Sequence, residues 1–184
     1  MLEITKFDDA ARKEIEGWDK YNHNDYGNEY VDMVDALDAD SVKEYIDRVL
    51  QTQSKYPPEE VFSYVLKNEK NKIVAFSFFY LYARSDEKYD MFIQSIAVHP
   101  KHRRKGYGQE LLGRIFANPE KYIGEKPVDV AGLVFPWNTT SLKFFNQFAE
   151  FEKRRYQRTF YLIISDYEAI ENNIKHYKED GLHI

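Results

Sequence analysis

Cysteine is absent from all 184 residues, which removes disulfides, thiolate zinc sites, iron–sulfur clusters and a cysteine nucleophile together. The absence suits a reducing cytoplasm, the expected location. Long apolar runs are lacking too. The longest nearly apolar stretch, Ile73 to Ala83, falls far short of the ~20 residues that a membrane-spanning helix needs. The N-terminal run Met1 to Asp9 has no cationic segment followed by an apolar one, so neither a signal peptide nor a membrane partner is expected. The histidines, His23, His99, His102, His176 and His183, show no HExxH or comparable spacing, and no metal is expected. Repeats, linkers and low-complexity tracts are missing as well, which predicts a single domain over 1–184.

What is present is core material. The chain is 43% hydrophobic and 16% aromatic, with 15 Tyr and 13 Phe, enough to pack an interior without staples. Its formal charge of -5 is unevenly spread. Residues 1–50 hold 14 Asp and Glu against 6 Lys and Arg, whereas the remainder holds 17 against 20. Such a segment is either a solvated acidic face or the rim of a site that gathers cations.

Hydrophobic periodicity predicts a mixed α/β (α+β) chain. Leu2 to Phe7 reads as a short strand, Ala10 to Trp18 as a helix capped by Asp8 or Asp9, and 19–40 as an irregular loop. Ser41 and Glu44 form a capping box before a helix whose Val42, Tyr45, Ile46, Val49 and Leu50 share one face. Strands are predicted over Val61–Lys67 and Ile73–Ala83, joined by a turn at Asn68–Asn71, and over Tyr89–Val98. A helix carrying Leu111, Leu112, Ile115 and Phe116 follows, then a strand over Val128–Phe135 and a helix opened by Asn138. The remainder reads as one strand over Tyr156–Ile164 and an additional C-terminal helix over about 166–184, capped by Ser165 with Glu168 and read as a dimer or lid element.

The chemistry concentrates between Ile93 and Leu112, where a strand runs into the cationic loop Arg103-Arg104-Lys105-Gly106-Tyr107-Gly108 and then into an amphipathic helix. The start of a helix exposes backbone N–H groups and about half a positive charge, a natural seat for phosphate. Glycine at 106 and 108 lets the backbone approach phosphate oxygens closely. There is no GxxxxGK[ST], and the third position of a GxGxxG fingerprint is Leu111, so neither a nucleoside triphosphatase nor a dinucleotide site fits. A nucleic-acid partner is not expected either, because the basic run is short, lacks interleaved aromatics and sits in a chain of pI ≈ 5.6.

Arg103-x-x-Gly106-x-Gly108, directly after Ile96-Ala97-Val98, resembles motif A of the GNAT superfamily of N-acetyltransferases. Downstream, Asn138-x-x-Ser141-x-x-Phe144-Phe145 followed by Phe151 resembles its motif B. The element order from residue 1 to about 164 is similar too. The resemblance implies a mostly antiparallel sheet with a V-shaped splay between the fourth and fifth strands, and acetyl-CoA as cosubstrate. Ile96, Ala97 and Val98 would bond the pantetheine arm, with the Ile96 N–H facing the thioester oxygen. Arg103 to Gly108 would hold the diphosphate, and Asn138, Ser141, Phe144 and Phe145 would contact the cofactor, Asn138 by way of the arm or a bound water. The acceptor implied is a cationic small-molecule or peptide amine, and a second copy of the chain is a further partner considered.

The Gly that the family has before the closing Phe is lost in Ala149-Glu150-Phe151, and two further departures bear on catalysis. The tyrosine that often protonates the thiol is replaced by Phe145, so the thiolate leaves unassisted or through water, or a tyrosine such as Tyr156 or one of the 21–30 loop reaches in. No carboxylate base is evident on the fourth strand, where Gln94 or Ser95 is read as ordering a relay water and Asp90 as a surface residue. The same departures motivate the rival reading, an acyl-CoA-binding protein without turnover.

Overall fold

The computed structural model describes residues 1–18, 41–157 and 160–174. The strands follow the hydrogen-bonded order β1-β2-β3-β4-β5-β7-β6, with β1 over Glu3–Lys6, β2 over Val61–Lys67, β3 over Ile73–Ala83 and β4 over Tyr89–Val98. The others are β5 over Asp129–Val134, β6 over Glu152–Tyr156 and β7 over Phe160–Asp166. The recorded ladders are antiparallel except β4 with β5, which is parallel. This is the mixed sheet with flanking helices that periodicity predicts, mostly antiparallel as the resemblance implies. Among the described residues, no helix is long and apolar enough to cross a membrane.

The chain divides into two compact units, Met1–Tyr80 with Gln94–Leu111, and Leu81–Ile93 with Leu112–Ile184. In the first, Asp8 accepts from the Ala11 N–H at 2.7 Å and so opens α1 over Asp9–Glu16. Ser41 accepts from the Glu44 N–H at 3.1 Å and opens α2 over Val42–Gln53. Of the predicted face of α2, Val42, Tyr45, Ile46 and Val49 are buried with Ala11, Ile15 and Trp18 against Val65, Ile73, Phe76 and Phe78, and Leu50 is half-buried against them. The first nine residues of β3 are all buried and the last two exposed, so most of the long apolar run is a buried strand. Its turn to β2 is held by the Asn68 carboxamide, which accepts from the Lys70 and Lys72 N–H groups at 2.9 and 3.1 Å.

In the second unit, the parallel ladder joins Met91, Phe92 and Ile93 to Val130, Ala131 and Gly132. A Cβ at Gly132 would stand 3.3 Å from the Ile93 carbonyl oxygen, so glycine permits this close approach. Phe116 and Phe148 meet edge to face at 5.2 Å, and the buried Tyr167 hydroxyl donates to the Phe116 carbonyl.

Three local readings change. The single strand predicted over Tyr156–Ile164 is a hairpin, β6 and β7, turning at Gln157 with φ 51°. All five β6 residues are exposed, so no hydrophobic alternation marked it. Strand β7 continues to Asp166 because its ladder with β5 runs as far as Asp129↔Asp166. Ser165 is therefore a strand residue, and Asp166 caps the last described helix, accepting from the Glu168 N–H at 2.7 Å. That helix covers Tyr167–Asn173 and buries Tyr167 and Ile170; residues 175–184 lie outside the described residues.

Candidate active site

Strand β4 has alternating burial, with Met91, Ile93, Ser95 and Ala97 inside and Phe92, Gln94, Ile96 and Val98 half-buried. After Val98 the chain turns through a short 3-10 segment, Pro100–His102, and the His99 N–H donates to the Val74 carbonyl at 2.9 Å. Arg103 Nε donates to the Val98 carbonyl at 3.3 Å, so this guanidinium ties the loop back to the strand end. Arg104 adopts φ 58° and Gly106 φ 78°. A left-handed arginine is sparsely populated, and such strain concentrates at functional loops. Arg104, Lys105 and Gly106 are exposed.

The helix α3 then runs over Tyr107–Ala117. The Glu110 N–H donates to the Gly106 carbonyl at 2.8 Å, so the helical hydrogen-bond ladder begins at Gly106. The N–H groups of the first turn precede that ladder and have no carbonyl one turn back. Apart from Gly106 itself and its two chain neighbours, no protein atom lies within 4 Å of the position that a Gly106 Cβ would take. Open backbone, the positive end of an 11-residue helix and neighbouring cationic side chains together suit a diphosphate. Acetyl-CoA carries such a group, so these residues fit it. Burial and Lys105 push the His102 imidazole below its ordinary value, which favours the neutral ring beside this loop.

Ser77, 0% exposed on β3, donates from Oγ to the Ser95 carbonyl at 2.7 Å. The Ser95 hydroxyl is bonded to the Tyr45 hydroxyl of α2. Ser95 is thereby engaged in packing the first unit, while Gln94 Nε2 donates to the Val49 carbonyl at 3.3 Å. Asp90 is more than a surface group. It accepts from Arg84 at 3.0 Å and from the Asp129 N–H at 3.2 Å, in a cluster where Arg84 also reaches Asp129 at 3.1 Å.

The first unit thus gathers Ile96, Ala97, Val98 and Arg103 to Gly108, while the motif B residues belong to the second. There, Asn138 accepts on Oδ1 from the Ser141 N–H at 3.0 Å and caps α5 over Thr139–Phe145; an intervening short helix over Pro119–Ile123 is α4. Phe145 is 5% exposed and packs on Phe144 and Phe151 at 5.3 and 5.6 Å. Tyr156 is 43% exposed on β6, and the 21–30 tyrosines lie outside the described residues. The Tyr45 and Ser77 contacts escaped sequence reading, although a tyrosine on the core face of a helix and a serine inside an apolar strand each signal a need for a hydrogen-bond partner.

A family model described as the Acetyltransferase (GNAT) family matches residues 30–151. No curated protein matches the chain in sequence. Among solved structures, the fold is similar to a chimera of the spermidine N-acetyltransferase SpeG from Vibrio cholerae and hSSAT, with TM-score 0.63 and 10% identity over 93% of this chain and 98% of that one. It is also similar to an acetyltransferase of the GNAT family from Staphylococcus aureus Mu50, with TM-score 0.61 and 8% identity over 91% and 99%. A third is the ribosomal-protein-S18-alanine N-acetyltransferase from Escherichia coli, with TM-score 0.56 and 16% identity over 89% and 91%. These likenesses carry the fold; the match over residues 30–151, taking in both motifs, carries membership, and the chain belongs to the GNAT acetyltransferase family.

Proposed function

We propose that the chain transfers an acetyl group from acetyl-CoA to a primary amine by direct attack within a ternary complex. The observation that carries the reading is the turn at Gly106, where open backbone with positive φ leads into α3 beside Arg104 and Lys105. Acetyl-CoA supplies the acetyl thioester. Arg103 to Gly108 hold its diphosphate, and Ile96, Ala97 and Val98 bond the pantetheine arm.

In the transfer, the neutral amine's nitrogen bonds to the acetyl carbon and the carbon–sulfur bond breaks, its electron pair going to sulfur. The nitrogen's surplus proton passes to water, and the thiolate takes one from water. The Ile96 N–H bonds the thioester oxygen as negative charge builds there, a contribution of about 2.7–4 kcal/mol. Water serves at sulfur because Phe145 has no hydroxyl.

The acceptor is a cationic small molecule or a peptide amine. The excess of 14 acidic over 6 basic residues in the first 50 supports it, since an acidic rim concentrates cations. The names of two structural relatives, a spermidine and a ribosomal-protein-alanine N-acetyltransferase, support the same class. The second reading, an acyl-CoA binder without turnover, is favoured by Phe145, which has no hydroxyl and is buried against the rings of Phe144 and Phe151. Thiol release measured with spermidine, an aminoglycoside and an N-terminal peptide separates the two. Amine-dependent release is expected. Binding of CoA with no release favours the second reading, and exclusive use of neutral or anionic amines removes the electrostatic argument.

A further inference from the structure

Ser95 and Ile96 share one peptide plane, in which the Ser95 C=O and the Ile96 N–H point in opposite directions. Whatever fixes the carbonyl therefore fixes the N–H. On this strand the carbonyl is held by a side chain. Ser77 Oγ donates to the Ser95 oxygen at 2.7 Å from a position with no solvent exposure. The same residue is gripped through its own side chain, Ser95 Oγ to the Tyr45 hydroxyl. Ser77, Tyr45 and Ser95 are each less than a tenth exposed, so the contacts form away from water. Ser77 interrupts the run Ile73-Val74-Ala75-Phe76-Ser77-Phe78-Phe79, where an apolar side chain would pack without needing a partner.

We infer that Ser77 is a positioning residue for acetyl transfer, aiming and strengthening the Ile96 N–H through the shared peptide. The inference rests on the proposed role of that N–H toward the thioester oxygen. A hydrogen bond donated to an amide oxygen draws electron density from the nitrogen, so the N–H on the opposite side becomes a better donor. It also removes rocking of the plane, and a preorganised donor contributes more to a developing oxyanion than one that must reorient. Tyr45 completes the device from α2 by holding the Ser95 side chain, so that the peptide is restrained from β3 and from the helix at once.

The test pairs two variants. Ser77→Ala removes the donor from a small site; its kcat with the fastest amine of the panel above is expected to fall about tenfold to thirtyfold, part of the full oxyanion-donor effect. The KM for amine and the Kd for acetyl-CoA are expected to stay near parental. Ser77→Thr keeps the hydroxyl but adds a methyl to a packed interior; it is expected to lose melting temperature while keeping kcat within about threefold, as uncoupled stability and catalysis require. The Ile96 amide resonance is expected to move in the alanine variant and to hold its place in the threonine variant. A folded Ser77→Ala enzyme with parental kcat overturns the inference and leaves the acetyl-transfer reading standing. Loss of kcat in both variants in proportion to lost stability overturns it too, as a packing effect. A parent that releases no thiol with any amine overturns the acetyl-transfer reading, and this inference with it.

Discussion

Single hydrogen bonds between residues far apart in sequence do much of the specifying here. Tyr167 illustrates the energetics. Its buried hydroxyl donates to the Phe116 carbonyl, and burial pushes that hydroxyl well above its ordinary value. Tyr167→Phe leaves the carbonyl unpaired in the interior and is expected to cost about 1–3 kcal/mol in denaturant unfolding. The folded state keeps the tyrosine proton more tightly than the unfolded chain does. The unfolded chain gives it up first, and the linked stability falls as pH climbs past about 10. The phenylalanine variant should lack that part of the alkaline loss. Contacts of this kind were not legible beforehand. Tyr45 and Ser95 are 50 positions apart, and Tyr167 and Phe116 are 51 apart. Caps at Asp8, Ser41 and Asn138 were legible, because donor and acceptor sit three residues apart within one turn.

At the scale of elements, the parallel pair β4 and β5 depends on backbone proximity at one point. Alanine at Gly132 sets a methyl 3.3 Å from the Ile93 carbonyl oxygen, tighter than ordinary contact and against backbone with little freedom to move. Gly132→Ala is expected to cost about 1–3 kcal/mol, lowering the melting temperature by about 2–4 °C for each kcal/mol. An unchanged melting temperature would show that the ladder relaxes at no cost. Elements with a strong apolar period were readable: the α2 face, the buried β3 and the β2–β3 turn at Asn68 all lie where periodicity put them. Strand β6 was not, since Glu-Lys-Arg-Arg-Tyr carries no alternation and forms by pairing with β7 at the sheet edge. Edge strands are often charged in this way, which discourages pairing with other chains.

For the whole molecule, the family resemblance was legible in two short segments about thirty residues apart, the first of them because a phosphate seat at a helix start asks for glycine and charge in a fixed order. The proposed oxyanion donor, Ile96, lacked such a demand, since a backbone N–H leaves no signature in the side-chain sequence. The central claim is that the start of α3 binds the diphosphate of coenzyme A. Calorimetric titration of CoA into the parent, Gly106→Ala and Gly106→Glu tests it most directly. Alanine brings only the strain of φ 78°, about 1 kcal/mol, whereas glutamate adds bulk and negative charge where the phosphate would sit. The account predicts a parent that binds, an alanine variant weakened modestly, and a glutamate variant weakened at least about a hundredfold, as loss of two charge-assisted bonds implies. Parental affinity in the glutamate variant, or no CoA binding by the parent, would contradict it.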